Sequence, residues 1–275
     1  MQTSRRVARE LALKVLFQVD IGKQPLTEVL EGACDQIRTQ LESGVNQVVH
    51  DTQAGLRRLA IERAGPLPYE LSARSSRQIK AVATSMATEI RALAMRSSEL
   101  SSDLCGAPAE GGAARAMARL HEAGNTTRAN IQRHSARESA YPKVLTALGD
   151  FAARNCGLME AVFDKQAPTI EATSAFMHRL VLGATEQHDE IDRRVAALST
   201  GWALDRQAAV DRNIMRLAAY EILFDPDIPA GASINEAVEL AKKYSTAESG
   251  RFVTVSTYIS TTRGSFPLRK VRQLK

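Results

Sequence analysis

DRQAAVDRNIMRLAAYEILFDPDIPAGASINEAVELAKKYSTAESGRFV, residues Asp205 to Val253, carries most of what the sequence reveals. Val210, Ile214 and Leu217 recur at helical spacing, and Glu221 follows four positions later on the same side. A carboxylate on that face is either half-buried against a basic partner or aimed along the rim. Pro226 and Pro229 then interrupt the chain. Ser233 and Glu236 have the spacing of a capping box, in which each side chain satisfies a backbone N–H at the other's end. Ile234, Ala237, Val238, Ala241 and Tyr244 form the next buried stripe. The stretch therefore holds two amphipathic helices, a proline-broken connector and the start of a third helix.

Working outward, Ala8, Leu11, Ala12, Val15, Leu16 and Val19 predict an opening helix over about Arg5 to Val19, ended by Gly22 and Pro25. A short helix is expected from Leu26 to about Gly32 or beyond. From near Thr173, Phe176, Leu180, Ala184, Ile191, Val195 and Leu198 share one helical face that ends before Gly201. His188 falls on that stripe and reads as a packed or boundary histidine rather than a ligand. Trp202 begins a turn, and Asp205 is placed to cap the next helix.

Residues 36–165 have a different character. Ile79, Met86, Leu93 and Leu100 repeat every seven residues, with Ala83, Ile90, Ser97 and Leu104 four positions after each. Such a stripe predicts a long helix over roughly Ser72 to Leu104 packed against a partner. Gly106, Pro108, Gly111 and Gly112 mark a break, and a second helix follows over about Ala113 to Arg137. The expectation is a hairpin of long helices, loosely packed because its faces are rich in Ser, Ala and Arg.

A chain of 275 residues can bury one large core or two modest ones. With 44% hydrophobic, 24% charged and only 5% aromatic residues in alanine-rich helical patterns, the class is all-α. There is no run of 18 apolar residues to span a bilayer, and Arg5, Arg6, Arg9 and Glu10 break up any signal-peptide core. A cytoplasmic location is expected. Cys34, Cys105 and Cys156 are widely spaced and odd in number, so free thiols are expected, with neither a disulfide framework nor a metal site. The net charge of +5 divides unevenly: zero over 1–35, +4 over 36–165, −4 over 166–253 and +5 over the last 22 residues. Bulk charge is thus a weak argument for nucleic acid, and local patches must decide.

Catalytic templates are absent from the sequence: no GxSxG elbow, no phosphate-cradling loop, no GxGxxG after a strand. The five histidines are scattered, and Asp189, Glu190 and Asp192 read as a solvated face. No catalytic function and no cofactor are expected. The N-terminus is more telling, because Arg5, Arg6 and Arg9 occupy the end of a helix where the dipole disfavours cations by a few tenths of a kcal/mol each (~0.3). A phosphate backbone would offset that cost; otherwise these arginines are a solubilising end.

RRVARELALKVLFQVD, WALDRQAAVDRNIMRLAAYEILF and INEAVELAKKYSTAESGRFV, in that order, resemble the NusB family of transcription antitermination factors. The resemblance covers residues 3–32 and about 173–253. It implies a fold of two packed three-helix subdomains, here formed by 1–35 and 166–253 with the long helical hairpin of 36–165 inserted. It also implies pairing with the ribosomal protein NusE, recognition of boxA in nascent ribosomal RNA, and action on the RNA polymerase elongation complex. By position, Arg5, Arg6, Arg9, Glu248 and Phe252 match RNA-contacting positions, and Asp211 matches an acidic position that faces NusE.

Two departures stand out. The insertion is one. The other is the tail, 254–275, where the family continues Asn-Gly-Val into an amphipathic helix and this chain reads TVSTYISTTRGSFPLRKVRQLK. Thr-Val-Ser-Thr is encoded ACN-GTN-TCN-ACN, and a one-base shift allows AAC-GGT-GTC-TAC, which is Asn-Gly-Val-Tyr. A single-base deletion that scrambled 254–275 is the resulting expectation, and resequencing that codon checks it. Competing readings are the NusB-like domain of a ribosomal RNA cytosine methyltransferase without its catalytic part, and a helical adaptor acting through its insertion.

Overall fold

Helix α1, Ser4–Gly22, buries Ala8, Leu11, Ala12, Val15 and Leu16, the stripe that the three- and four-residue spacing predicts. The computed structural model describes residues 4–64, 69–105, 111–136, 141–198 and 204–246. Every regular element among them is helical, so the chain is all-α: α2 Leu26–Ala64, α3 Tyr69–Asp103, α4 Gly112–Ala136, α5 Pro142–Glu186, α6 His188–Leu198, a 3-10 turn at Leu204–Arg206, α7 Ala209–Phe224 and α8 Ala230–Tyr244. None of these helices is long and apolar enough to cross a membrane. The chain forms two compact units, one of residues 1–33 with 172–275 and one of residues 34–171.

In the second unit, the predicted heptad stripe is the core of α3. Ile79, Met86, Leu93 and Leu100 are at most 1% exposed, and Ala83, Ile90, Ser97 and Leu104 at most 6%. The expected hairpin is one half of a larger arrangement, because α2 and α5 run alongside it as long helices. Side-chain contacts pair neighbours antiparallel: Arg38 with Ser102 and Ser98 with Glu42 between α2 and α3, Asn130 with Glu89 between α3 and α4, and His121 with Asp164 between α4 and α5. Gly44 meets Val162 and Gly55 meets the Phe151 ring, which closes the ring of four between α2 and α5. The result is an up-down four-helix bundle.

Helices α2 and α5 pack closely. A Cβ on Gly55 would lie 2.2 Å from the Phe151 ring, so α2 and α5 approach at a distance only glycine permits. This corrects the short helix expected after Leu26: Gly32, Gly44 and Gly55 look like breakers in sequence yet all lie inside the 39-residue α2. Likewise α5 begins at Pro142, well before Thr173, and continues through Pro168. The buried run Phe163, Ala167 and Ile170 carries it across the lost hydrogen bond.

In the first unit α1, α6 and α8 pack on α7. Its buried residues include Asn213, Ile214, Met215, Arg216, Leu217, Ala218, Ala219 and Glu221, as expected of a helix covered on most sides. Two cap expectations give way here. Asp205 lies in the 3-10 turn, and α7 starts at Ala209 after Ala208 with no side-chain cap. Helix α8 starts at Ala230 behind Pro229, so Ser233 is already inside it and no capping box forms. The single helix read over the Phe176–Leu198 stripe is divided at Gln187 into α5 and α6, and His188 is exposed beside Asp189 and Asp192. Trp202, Glu248, Phe252 and the tail 254–275 lie outside the described residues.

Candidate nucleic-acid interface

The candidate site starts with the first two turns of α1. Arg5 is exposed and Arg6 is about one third exposed, so both cations meet solvent at the positive end of the helix dipole. Arg6 lies 3.9 Å from Glu236 and 3.6 Å from Glu239, two carboxylates on α8. Such partly exposed pairs contribute little to stability.

Arg9 stands apart from the other two. It is 7% exposed, and its guanidinium donates from Nε to Glu221 Oε1 at 2.7 Å and from Nη2 to Oε2 at 3.0 Å. Glu221 is 1% exposed and also accepts from the Ser233 hydroxyl. Of the two sequence readings for Glu221, the basic partner is the one realised. Arg9 is therefore a structural cation committed to α7, while Arg5 and Arg6 face outward.

Phe176, on α5, organises this end of the unit. Three guanidinium groups surround its ring: Arg5 at 5.6 Å, Arg9 at 5.2 Å and Arg179 at 5.3 Å from the centroid. At these distances the ring quadrupole attracts each cation, so an aromatic face holds together charges that repel one another. Arg9 is neutralised by Glu221 and Arg179 by Asp225 at 3.0 Å, whereas Arg5 has no ion pair among the described residues. Sequence reading placed Phe176 only on a core stripe and did not single out Arg179. The signal was their three-residue spacing, which sets both on one side of a helix.

A second polar cluster ties α1 and α6 to α7. Asp20 accepts from Arg212 at 2.9 Å and from Arg216 at 3.1 Å, while Arg216 also grips Asp192 with two bonds of 2.7 and 2.6 Å. Burial pushes the Asp20 carboxyl up, but the hydrogen bonds and charges of Arg212 and Arg216 outweigh it and hold it below the usual carboxylate range. Asp211, in the first turn of α7, is 7% exposed. It sits where a carboxylate complements the helix dipole. Across the unit, Glu10 accepts from Lys243 at 2.7 Å and Tyr244 at 3.2 Å. None of these groups, among the described residues, assembles a metal-binding cluster.

Comparison with known proteins places this geometry in context. Residues 134–254 match the model of the NusB family. The chain is 45% identical over 92 residues to the transcription antitermination protein NusB of Desulfatibacillum aliphaticivorans, which covers 34% of this chain and 64% of that one. It is 42% identical over 105 residues to the NusB of Geobacter sulfurreducens, covering 38% of this chain and 76% of that one. A solved structure of T. maritima NusB is 33% identical, with 42% of this chain and 80% of that one covered and a TM-score of 0.32. The chain thus spans less than two thirds of the first of these relatives. The family match reaches back to residue 134, in the last turn of α4, and so takes in part of the bundle as well as the first unit.

Proposed function

Since this chain belongs to the NusB family, we propose that it is an RNA-binding transcription antitermination factor that acts by binding and not by catalysis. In this reading residues 1–35 and 166–253 are the RNA-binding core. It pairs with NusE and binds boxA of nascent ribosomal RNA, in the cytoplasm, to keep RNA polymerase elongating. The observation that carries the proposal is the pair of outward-facing arginines, Arg5 and Arg6, at the start of α1. A helix selected for stability alone would carry carboxylates there, whereas a phosphate backbone uses both the guanidinium groups and the free N–H groups. Arg9 serves this surface from beneath, by anchoring α1 to Glu221 and bracing Phe176. Asp211, in the first turn of α7, is the acidic residue proposed to face NusE. Glu248 and Phe252 remain RNA-contacting candidates by resemblance alone.

Binding of a boxA RNA oligonucleotide across a salt series tests this. Arg5→Ala plus Arg6→Ala should weaken binding and flatten the slope of log K against log salt by about 1.4, since each single-strand phosphate contact contributes about 0.7. Binding of NusE should be unchanged. Equal RNA affinity and slope in the variant would count against the assignment.

A further inference from the structure

Between α2 and α3 of the bundle lies a groove of about 350 Å³ that the RNA-binding reading leaves unused. Its floor is apolar, from Leu56 and Ala60 on α2 and Ala83 and Ala87 on α3. Its charged lining is entirely cationic: Arg57, Lys80 and Arg91, all exposed and without an ion pair among the described residues. Ile61, a large apolar side chain in its lining, is 62% exposed. An open isoleucine beside an apolar floor and three unpaired cations differs from the single exposed leucines of an ordinary surface.

Groove shape and chemistry restrict the occupant. The walls run over residues 53–61 and 80–91, which at about 1.5 Å per residue is about 12 to 16 Å, or about two to three turns of a helix. An apolar floor between basic rims suits a helix with one apolar stripe flanked by carboxylates. Single-stranded RNA suits it poorly, because base recognition uses aromatic stacking platforms and no aromatic residue lines this groove. We propose that the α2–α3 groove docks an acidic amphipathic helix of a partner protein. Hydrophobic area supplies the affinity, while the three cations select against basic helices.

The test uses the full chain and a fluorescein-labelled synthetic helix with Leu at helical spacing and Glu on both flanks. A scrambled peptide of the same composition, a Lys-for-Glu version and a single-stranded RNA are the comparison probes. Arg57→Glu plus Arg91→Glu, both surface positions, should raise the dissociation constant of the acidic helix about tenfold. Ala87→Gln, which fills the floor, should weaken it as well, with far-UV circular dichroism verifying the fold of each variant. The scrambled and Lys-rich peptides should bind weakly or not at all. Equal binding of the scrambled peptide, or no loss in either variant, overturns the proposal. So does RNA binding that the same charge reversal abolishes, or self-association of the chain that the reversal dissolves.

Discussion

Glu221 shows how one residue can carry a message that only its surroundings complete. It is 1% exposed and accepts two bonds from Arg9 and one from Ser233. Removing one partner of a buried pair strands the other's charge, which costs far more than the pair is worth as a whole. Arg9→Ala should therefore destabilise the protein by about 3 to 5 kcal/mol, read from the urea midpoint at constant slope. Arg9→Met combined with Glu221→Leu should recover most of that loss. A double variant as unstable as Arg9→Ala would show that the pair itself, not the orphaned carboxylate, sets the stability. From the sequence, the position of Glu221 was legible and the choice of Arg9, 212 residues away, was not. Arg5, Arg6 and Arg9 look alike in one dimension; burial against Glu221 separates the third from the first two.

At the scale of elements, α2 carries two glycines with opposite expected behaviour. Alanine gains about 1 kcal/mol over glycine inside a helix. At Gly32, nothing lies within 4 Å of an added Cβ, so Gly32→Ala should stabilise by up to about 1 kcal/mol. At Gly55 the Cβ would sit 2.2 Å from the Phe151 ring, and overpacking of about 1 to 3 kcal/mol outweighs the propensity gain. Thermal unfolding of the two variants, moving in opposite directions, checks both; a rise in Tm for Gly55→Ala would refute the close α2–α5 approach. The Asp20 cluster, which ties α1 and α6 to α7, makes a second test. Its depressed carboxyl pKa adds stability that is fully present above the unfolded value of about 3.9 and is lost as pH falls through the folded one. Asp20→Asn should thus lower stability at neutral pH, and the gap to the parent should close in acid. A gap that persists below the folded pKa would mean that Arg212 and Arg216 do not stabilise the ionised form.

For the molecule as a whole, two compact units divide the charge, and the two proposed binding surfaces lie in different units. The RNA reading rests on Arg5 and Arg6 of the first unit, and the docking groove on Arg57, Lys80 and Arg91 of the second. Their tests are separable because neither variant touches the other's residues. The all-α class, the α3 heptad core, most of the α1 and α7 stripes and the family resemblance were determined by the sequence alone, whereas of the α8 stripe only Ala237 and Ala241 are buried, with Leu240 beside them. Each depends on local periodicity, which a helix converts directly into one apolar face. Only the tertiary structure decided where α2 and α5 run, where α7 and α8 begin, and which polar residues are spent inside. Gly44 and Gly55 become points of close approach only when α5 lies against α2, and Ser233 reads as a cap until Glu221 claims its hydroxyl. Those outcomes follow from energies of packing and burial between distant segments, which local spacing does not contain.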